Sequence, residues 1–399
     1  MTARPRRTAA IALCAGLLAV AASPAAAETA SPPNPAGTVL VTASGAESIA
    51  AQAAALVAGM STRERAATVV MGHIPTADPA ALSAYMQATG IGGFILMGAN
   101  VPGSEDALRA VTAALTPDPA QPPVLAVDQE GGDVSRFPWD RFPSSLVLKD
   151  QPPAAAQDAF AGRAALVQRA GIGVNFGVVA DVTADRSMFI YRRALGTTPG
   201  AAAERVAAAV AGEGGAAAST LKHFPGHGSA PGDSHVGIPT SGLSKSEWAA
   251  GDAVPFAAGI EAGAPLLMFG HLAFPAVDPA PATLSAEWHR IAREELGFTG
   301  VSITDDLGML QSSGVAAYAD PVANAIAAIA AGNDMVLAVV SSSAATAPRM
   351  VDGIAAATEA GAIPASRLEE AAERVVALRL QLAADGRGLI PCPGCTPVG

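Results

Sequence analysis

The sequence predicts an α/β fold, a single (β/α)8 TIM-like barrel with C-terminal helices, from three observations. Short apolar runs alternate with Ala-rich stretches along most of the chain. The runs are apolar throughout, not at every second residue, as expected of strands buried on both faces of a parallel sheet. Polar and charged residues then follow one run after another, which is where a barrel gathers its active site.

Taken in order, Ser61-Thr62-Arg63-Glu64 is a capping box, in which hydroxyl and carboxylate each satisfy an otherwise unpaired N–H. It opens a helix expected to continue to about Met71. Apolar runs lie at 93–97, 124–127, 174–179, 216–221, 265–269, 300–304 and 335–340. Helical stretches lie at 104–115, 154–170, 199–213, 247–262, 285–296, 318–331 and 345–361. Strand then helix, repeated, implies a parallel sheet covered on both faces. An open, doubly wound sheet that binds nucleotides carries a glycine fingerprint after its first strand, and none follows an early run here. Asp128-Gln129-Glu130, Asp181, Lys222-His223, His271 and Asp305-Asp306 instead stand at run ends along the whole chain, which favours a closed barrel.

The first residues read as a signal peptide over 1–27: Arg4, Arg6 and Arg7, an apolar run over 9–22, then Ala25-Ala26-Ala27. The run is shorter than the roughly 20 residues that a membrane anchor needs. Arg6-Arg7 leaves the general and the twin-arginine export routes both open. A flexible leader is expected over 28–45, the barrel domain over 46–385, and a tail over 386–399 in which Cys392 and Cys395 pair, since export favours disulfides. Losing 1–27 removes three Arg and no acid, so the formal net charge moves from −11 to −14. So acidic a chain lacks the footprint of a nucleic-acid binder. At 50% hydrophobic residues it is too apolar for disorder. No other stretch reads as membrane-spanning, so the expectation is an exported protein (extracellular, periplasmic or cell-wall associated) with no membrane partner after cleavage.

Three centres carry chemistry. Lys222-His223-Phe224-Pro225-Gly226-His227-Gly228 and Asp233-Ser234-His235 place three of the six His beside a Lys and an Asp in one loop. The Asp-x-His spacing sets a carboxylate beside an imidazole, so Asp233 can hold one ring nitrogen of His235 while the other gives and takes a proton. A metal site built from His223, His227, Asp233 and His235 is the rival reading. Against it stand Lys222, which repels a cation, and the lack of His-x-His after the first strand. At the second centre an apolar strand leads into Asp305, a carboxylate that suits attack on a sugar opposite a proton donor; Asp306 reads as a helix cap. At the third, Asp128 and Arg136 can grip sugar hydroxyls through charge-assisted hydrogen bonds. Arg193 and Asp181 read as weaker candidates, of the kind that form exposed ion pairs.

These residues together resemble glycoside hydrolase family 3, in its β-N-acetylglucosaminidase branch. The matching segments are Val127 to Gly132, Lys222 to Gly228, Asp233 to His235 and Ile303 to Met309, in the family's order. Further matches lie at 91–96, 298–301 and 331–334. The resemblance implies a retaining mechanism with Asp305 as nucleophile and His235 with Asp233 as acid/base dyad. It also implies that Asp128, Arg136, Arg193, Lys222 and His223 bind the sugar, with no cofactor and no metal. The Asp-x-His loop points to a terminal β-linked N-acetylglucosamine on cell-wall or chitin-like fragments. Transfer to water or to phosphate stays open. A β-glucosidase-type member and a non-catalytic sugar-binding protein are the remaining alternatives. The chain departs from the family pattern at Asp133, at Ser229 and around 185–195.

Overall fold

The computed structural model describes residues 43–386 together with 392, 394 and 395. The expected signal peptide over 1–27, and most of the leader and tail, lie outside the described residues. Where the leader was expected to continue to 45, the helix Ala43–Ala58 already begins, in an Ala-rich sequence of high helix propensity.

Among the described residues ten strands follow in chain order: β1 (Val70–Gly72), β2 (Gly93–Leu96), β3 (Val124–Val127), β4 (Val174–Val179), β5 (Ala218–Phe224), β6 (Leu266–Phe269), β7 (Ala273–Phe274), β8 (Asp278–Pro281), β9 (Val301–Asp306) and β10 (Met335–Leu337). Eight of them close a parallel barrel in the order β1-β10-β9-β6-β5-β4-β3-β2, and β7 and β8 form a separate antiparallel pair. The predicted barrel is therefore present, with helices around it.

Four local expectations are corrected. The helix that opens at Ser61 spans Thr62–Thr68 and stops short of Met71, because Val70 and Met71 form β1, paired with Val336 and Leu337 of β10. The β-branched Val69-Val70 pair and complete burial favour the ladder over another helical turn. The stretch at 247–262 is two helices, Lys245–Ala250 and Ala253–Glu261, broken at Gly251. The stretch at 285–296 passes from the α-helix Ala286–Arg290 into a π-turn over Ile291–Glu295. The run at 335–340 leaves the sheet after Leu337, because the N–H groups of Val339 and Val340 donate to the Asp306 carboxylate.

Alternation along the strands decides what faces the barrel axis. Val124 and Ala126 of β3, Leu266 and Met268 of β6, and Val301 and Ile303 of β9 share one inner cluster. Leu125 and Val127, and Leu267 and Phe269, pack outward against helices. Continuing that alternation brings Asp305 to the inner face at the C-terminal end of β9. Val375, Leu378 and Leu382 of the last helix, Ala365–Asp385, join the inner cluster. They close the opposite end, where Gly173 lies just before β4 and would meet the Leu382 side chain. Fully buried Asp334 anchors that helix through Arg367 and Arg374, at 2.5 and 3.0 Å, and also holds Arg293 at 2.5 Å. Cys392 and Cys395 are paired in the structure, with Cα atoms 5.4 Å apart.

Candidate active site

The C-terminal mouth of the barrel holds a cavity of about 370 Å3, floored by Ile95, Met268 and Leu337. Asp128, Arg136, Arg193, Lys222, His223, His235 and Asp305 all line it. Asp233, Asp181 and His227, also singled out in the sequence, do not line it; they contact lining residues, Asp233 holding His235, Asp181 holding His223 and His227 meeting Ser234.

Each side chain owes its position to local structure. Asp128 continues β3. Gln129, fully buried, then ties down the loop after it: its Oε1 accepts from the N–H groups of Arg136 and Phe137 at 2.8 and 3.0 Å, and its Nε2 donates to Ser135 and Asp140. This turns Arg136 back to donate to Asp128 Oδ2 at 3.2 Å. Gly131 adopts φ 84° beside Arg163, whose guanidinium would stand 2.1 Å from any Cβ at that position. On β5, Leu221 and Phe224 both pack outward although an even alternation would separate them. The register against β6 shifts between these two residues, and there both Lys222 and His223 face the cavity. Phe224 is clamped edge-on by Trp248, Phe256, Phe269 and Trp288. Trp248 Nε1 also donates to Pro225 O at 2.8 Å.

A buried charge network links these strand ends. Lys222 Nζ donates to Asp128 Oδ1 at 2.9 Å and to Glu130 Oε1 at 2.7 Å. Arg193 grips Glu130 with two bonds, Nε to Oε2 at 2.9 Å and Nη2 to Oε1 at 2.7 Å. Arg193 read as a weaker candidate because exposed ion pairs are common; its side chain is 12% exposed and Glu130 1%, so this pair is buried. Its neighbour Arg192 makes the exposed pair, with Asp133. Burial alone raises the Glu130 pKa, but Arg193 and Lys222 outweigh it and hold it at about 2. Burial likewise disfavours the Lys222 ammonium, and Asp128 and Glu130 reverse the shift to a raised value. Asp181, placed by the end of β4, accepts from His223 Nδ1 at 2.7 Å and from His227 N at 2.6 Å. That bond leaves His223 Nε2 to accept from Arg193 Nη2 at 3.3 Å.

The two neighbouring carboxylates of β9 diverge in role. Asp305 Oδ1 accepts from the Asp306 N–H at 2.8 Å. Partial burial raises its pKa, yet its electrostatic interactions with His223, His271 and Lys222 and the Asp306 N–H bring it below the ordinary value, so Asp305 is a carboxylate anion in the cavity wall. Asp306 caps the helix Leu307–Ser312 and accepts from the N–H groups of Gly308, Val339 and Val340. Burial pushes it up to about 6. His235 donates through both its backbone N–H and Nδ1 to Asp233 Oδ1, at 2.9 and 2.7 Å. Nε2 is then the nitrogen that can exchange a proton. Burial opposes ionisation of Asp233, but the bonds from His235 keep its pKa lowered. His227 lies behind, with Nε2 at 3.3 Å from Ser234 Oγ, and burial lowers its pKa. Ser229 hydrogen-bonds to Ser241 and to buried Asp252. Among the described residues no three His, Cys, Asp or Glu side chains converge as metal ligands would.

Sequence reasoning assigned no separate role to Glu130 and none at all to Phe189. Glu130 sits within a motif already singled out, so the signal was present. Its burial was not readable, because its partners Lys222 and Arg193 are far away in sequence.

The glycosyl hydrolase family 3 N-terminal domain model matches residues 61–378. A β-hexosaminidase of Pseudomonas aeruginosa is 38% identical over 253 residues, covering 61% of this chain and 74% of that protein. One from Alkalilimnicola ehrlichii is 38% identical over 259 residues, covering 62% and 73%. Among solved structures, a glycoside hydrolase family 3 β-N-acetylglucosaminidase from a Paenibacillus species gives a TM-score of 0.77 at 28% identity. That match covers 86% of this chain, which spans 66% of the Paenibacillus protein. A β-N-acetylhexosaminidase from Beutenbergia cavernae gives 0.70 at 29% identity, covering 81% of this chain and 99% of that one.

A group whose folded pKa lies at about 2 against an ordinary 4.5 contributes stability that is complete above pH 4.5 and lost as pH falls towards 2. Glu130→Gln should therefore cost about 3 kcal/mol at neutral pH, by leaving buried cations under-compensated. Its urea midpoint should also fall less than that of the wild type between about pH 5 and about pH 3. Equal acid sensitivity in the two proteins would refute the buried-anion assignment.

Proposed function

This chain belongs to glycosyl hydrolase family 3 and is a glycoside hydrolase, and from that premise we propose that it is an exported, retaining exo-β-N-acetylglucosaminidase acting on cell-wall or chitin-like fragments. The observation that carries the proposal is one cavity with an ionised Asp305 in its wall and His235, backed by Asp233, on the same cavity. Glycoside cleavage with retention needs that pair, a nucleophilic carboxylate and a proton donor that later acts as base.

The terminal sugar enters a cavity closed below by Ile95, Met268 and Leu337, which admits the end of a glycan but no through-running chain. Asp128 accepts from sugar hydroxyls; Lys222, Arg136 and Arg193 surround them with donors already oriented by Asp128 and Glu130, and His223, held by Asp181, completes the wall. Asp305 Oδ1 is occupied by the Asp306 N–H, so Oδ2 attacks the anomeric carbon. His235 Nε2 gives its proton to the departing glycosidic oxygen as the C–O bond breaks, leaving a glycosyl ester on Asp305. His235 then takes a proton from water, whose oxygen attacks the anomeric carbon and releases Asp305. The hexosaminidase names of the relatives support an N-acetylated sugar, and the Arg-led apolar segment over 1–27 supports export.

Asp305→Ala should abolish turnover of a nitrophenyl N-acetyl-β-glucosaminide, and near-normal activity would remove the nucleophile assignment. His235→Ala should lose about a hundredfold or more in kcat/KM on a natural disaccharide and far less in kcat/KM on the nitrophenyl substrate, whose leaving group needs no proton in the first half-reaction. Equal losses on both would refute its acid role. N-terminal sequencing of the secreted protein should begin at Glu28; a mature chain that retains 1–27 would contradict export by cleavage.

A further inference from the structure

Phe189 is one of the few large apolar side chains exposed among the described residues, at 36%, and it lies in the wall of the catalytic cavity. It belongs to the irregular stretch between β4 and the helix Pro199–Glu213. Its ring touches three residues of the site. The His235 ring stands edge-on to it at 5.6 Å between centroids, the His227 ring lies at 5.5 Å, and the Arg193 guanidinium lies over it at 5.6 Å.

Those neighbours differ in how firmly they are held. Arg193 is fixed by its two bonds to buried Glu130. His235 has only Asp233, two residues earlier on the same loop, and the side chains are 53% and 38% exposed. The Asp233 bond sets which nitrogen carries the proton, but it moves with the loop and cannot set the distance to Asp305. Ser234 pins the loop to His227 at 3.3 Å, and the His227 ring itself rests on Phe189. His227 is itself tied to Asp181 through its backbone N–H, so the loop is anchored at Ser234, whereas the His235 ring reaches barrel-anchored Arg193 through the Phe189 ring.

We propose that Phe189 is a positioning residue whose ring docks the His235 imidazole against barrel-anchored Arg193 and so holds the Asp233–His235 loop over the glycosidic bond. This rests on the reading of His235 as general acid and base. An aromatic edge-to-face contact with one residue and a guanidinium over the ring from another suit a ring that transmits position without taking part in proton transfer.

The test compares Phe189→Ala and Phe189→Trp with the wild type and with His235→Ala, on a β-linked N-acetylglucosamine disaccharide and on the nitrophenyl glycoside. Phe189→Ala should lower kcat/KM on the disaccharide by about tenfold to a hundredfold, through kcat and not KM, with kcat/KM on the nitrophenyl glycoside little changed. Phe189→Trp should restore most of the loss. Phe189→Ala in the His235→Ala background should add nothing, because the ring acts through the imidazole. Equal losses on both substrates, a change in KM alone, or an additive loss in the double variant would overturn the proposal. If His235→Ala alone fails to discriminate between the substrates, the general-acid reading fails first and this inference with it. The partly exposed ring predicts an unchanged thermal midpoint for Phe189→Ala, so the kinetic losses are not those of an unfolded variant.

Discussion

Glu130 receives Arg193 and Lys222 at the same buried carboxylate, and Lys222 passes on to Asp128. Two anions and two cations taken from water each cost several kcal/mol, and they persist only where every charge is matched and hydrogen-bonded. The network meets that condition by drawing on the end of β3, the end of β5 and the loop after β4. It therefore fixes three loops relative to one another before any sugar arrives. The same network bears on the end of β9: Lys222 is among the groups that keep Asp305 ionised in the cavity wall. In the proposed mechanism, sugar binding and nucleophile activation thus share one electrostatic origin.

The dyad is built on the opposite principle. Asp233 and His235 are half-exposed, on a loop with Gly232 in a positive-φ conformation and Val236 open to solvent. Under the proposed mechanism His235 must meet a leaving group outside the barrel, and so cannot be buried with the residues proposed to bind the sugar. The consequence is that its placement depends on contacts made at the rim, where Phe189 supplies the ring between His235 and Arg193.

The legible parts of this protein are those where a local pattern and the tertiary outcome agree. The apolar run into Asp305 reads as a strand because β9 is buried on both faces, and its alternation carries through to the carboxylate. Asp306 reads as a cap because the Leu307–Ser312 helix begins immediately after it. The capping box at Ser61 is likewise present, with Glu64 returning to the Ser61 N–H at 2.7 Å. What was not legible depends on partners far along the chain. Three-residue β1 follows a capped helix with no punctuation, and only β10 and β2 make it a strand. Glu130 and Arg193 stand 63 positions apart, so their burial as a pair is invisible locally. Lys222 and His223 are neighbours that a regular strand would point apart, and the register shift that aims both into the cavity has no sequence signature. Phe189 lies in a stretch with neither strand nor helix period.

The central claim is that Asp305 carries the sugar between two half-reactions served by His235. The His235→Ala protein should complete the first half with a nitrophenyl N-acetyl-β-glucosaminide, whose leaving group needs no proton, and then stall for want of a base. Rapid acid quench and peptide mass mapping of that mixture should find one N-acetylglucosaminyl group on the peptide bearing Asp305, located to that residue by fragmentation. A modified Asp306, or a quenched protein free of any sugar while nitrophenol is still being released, would contradict the account.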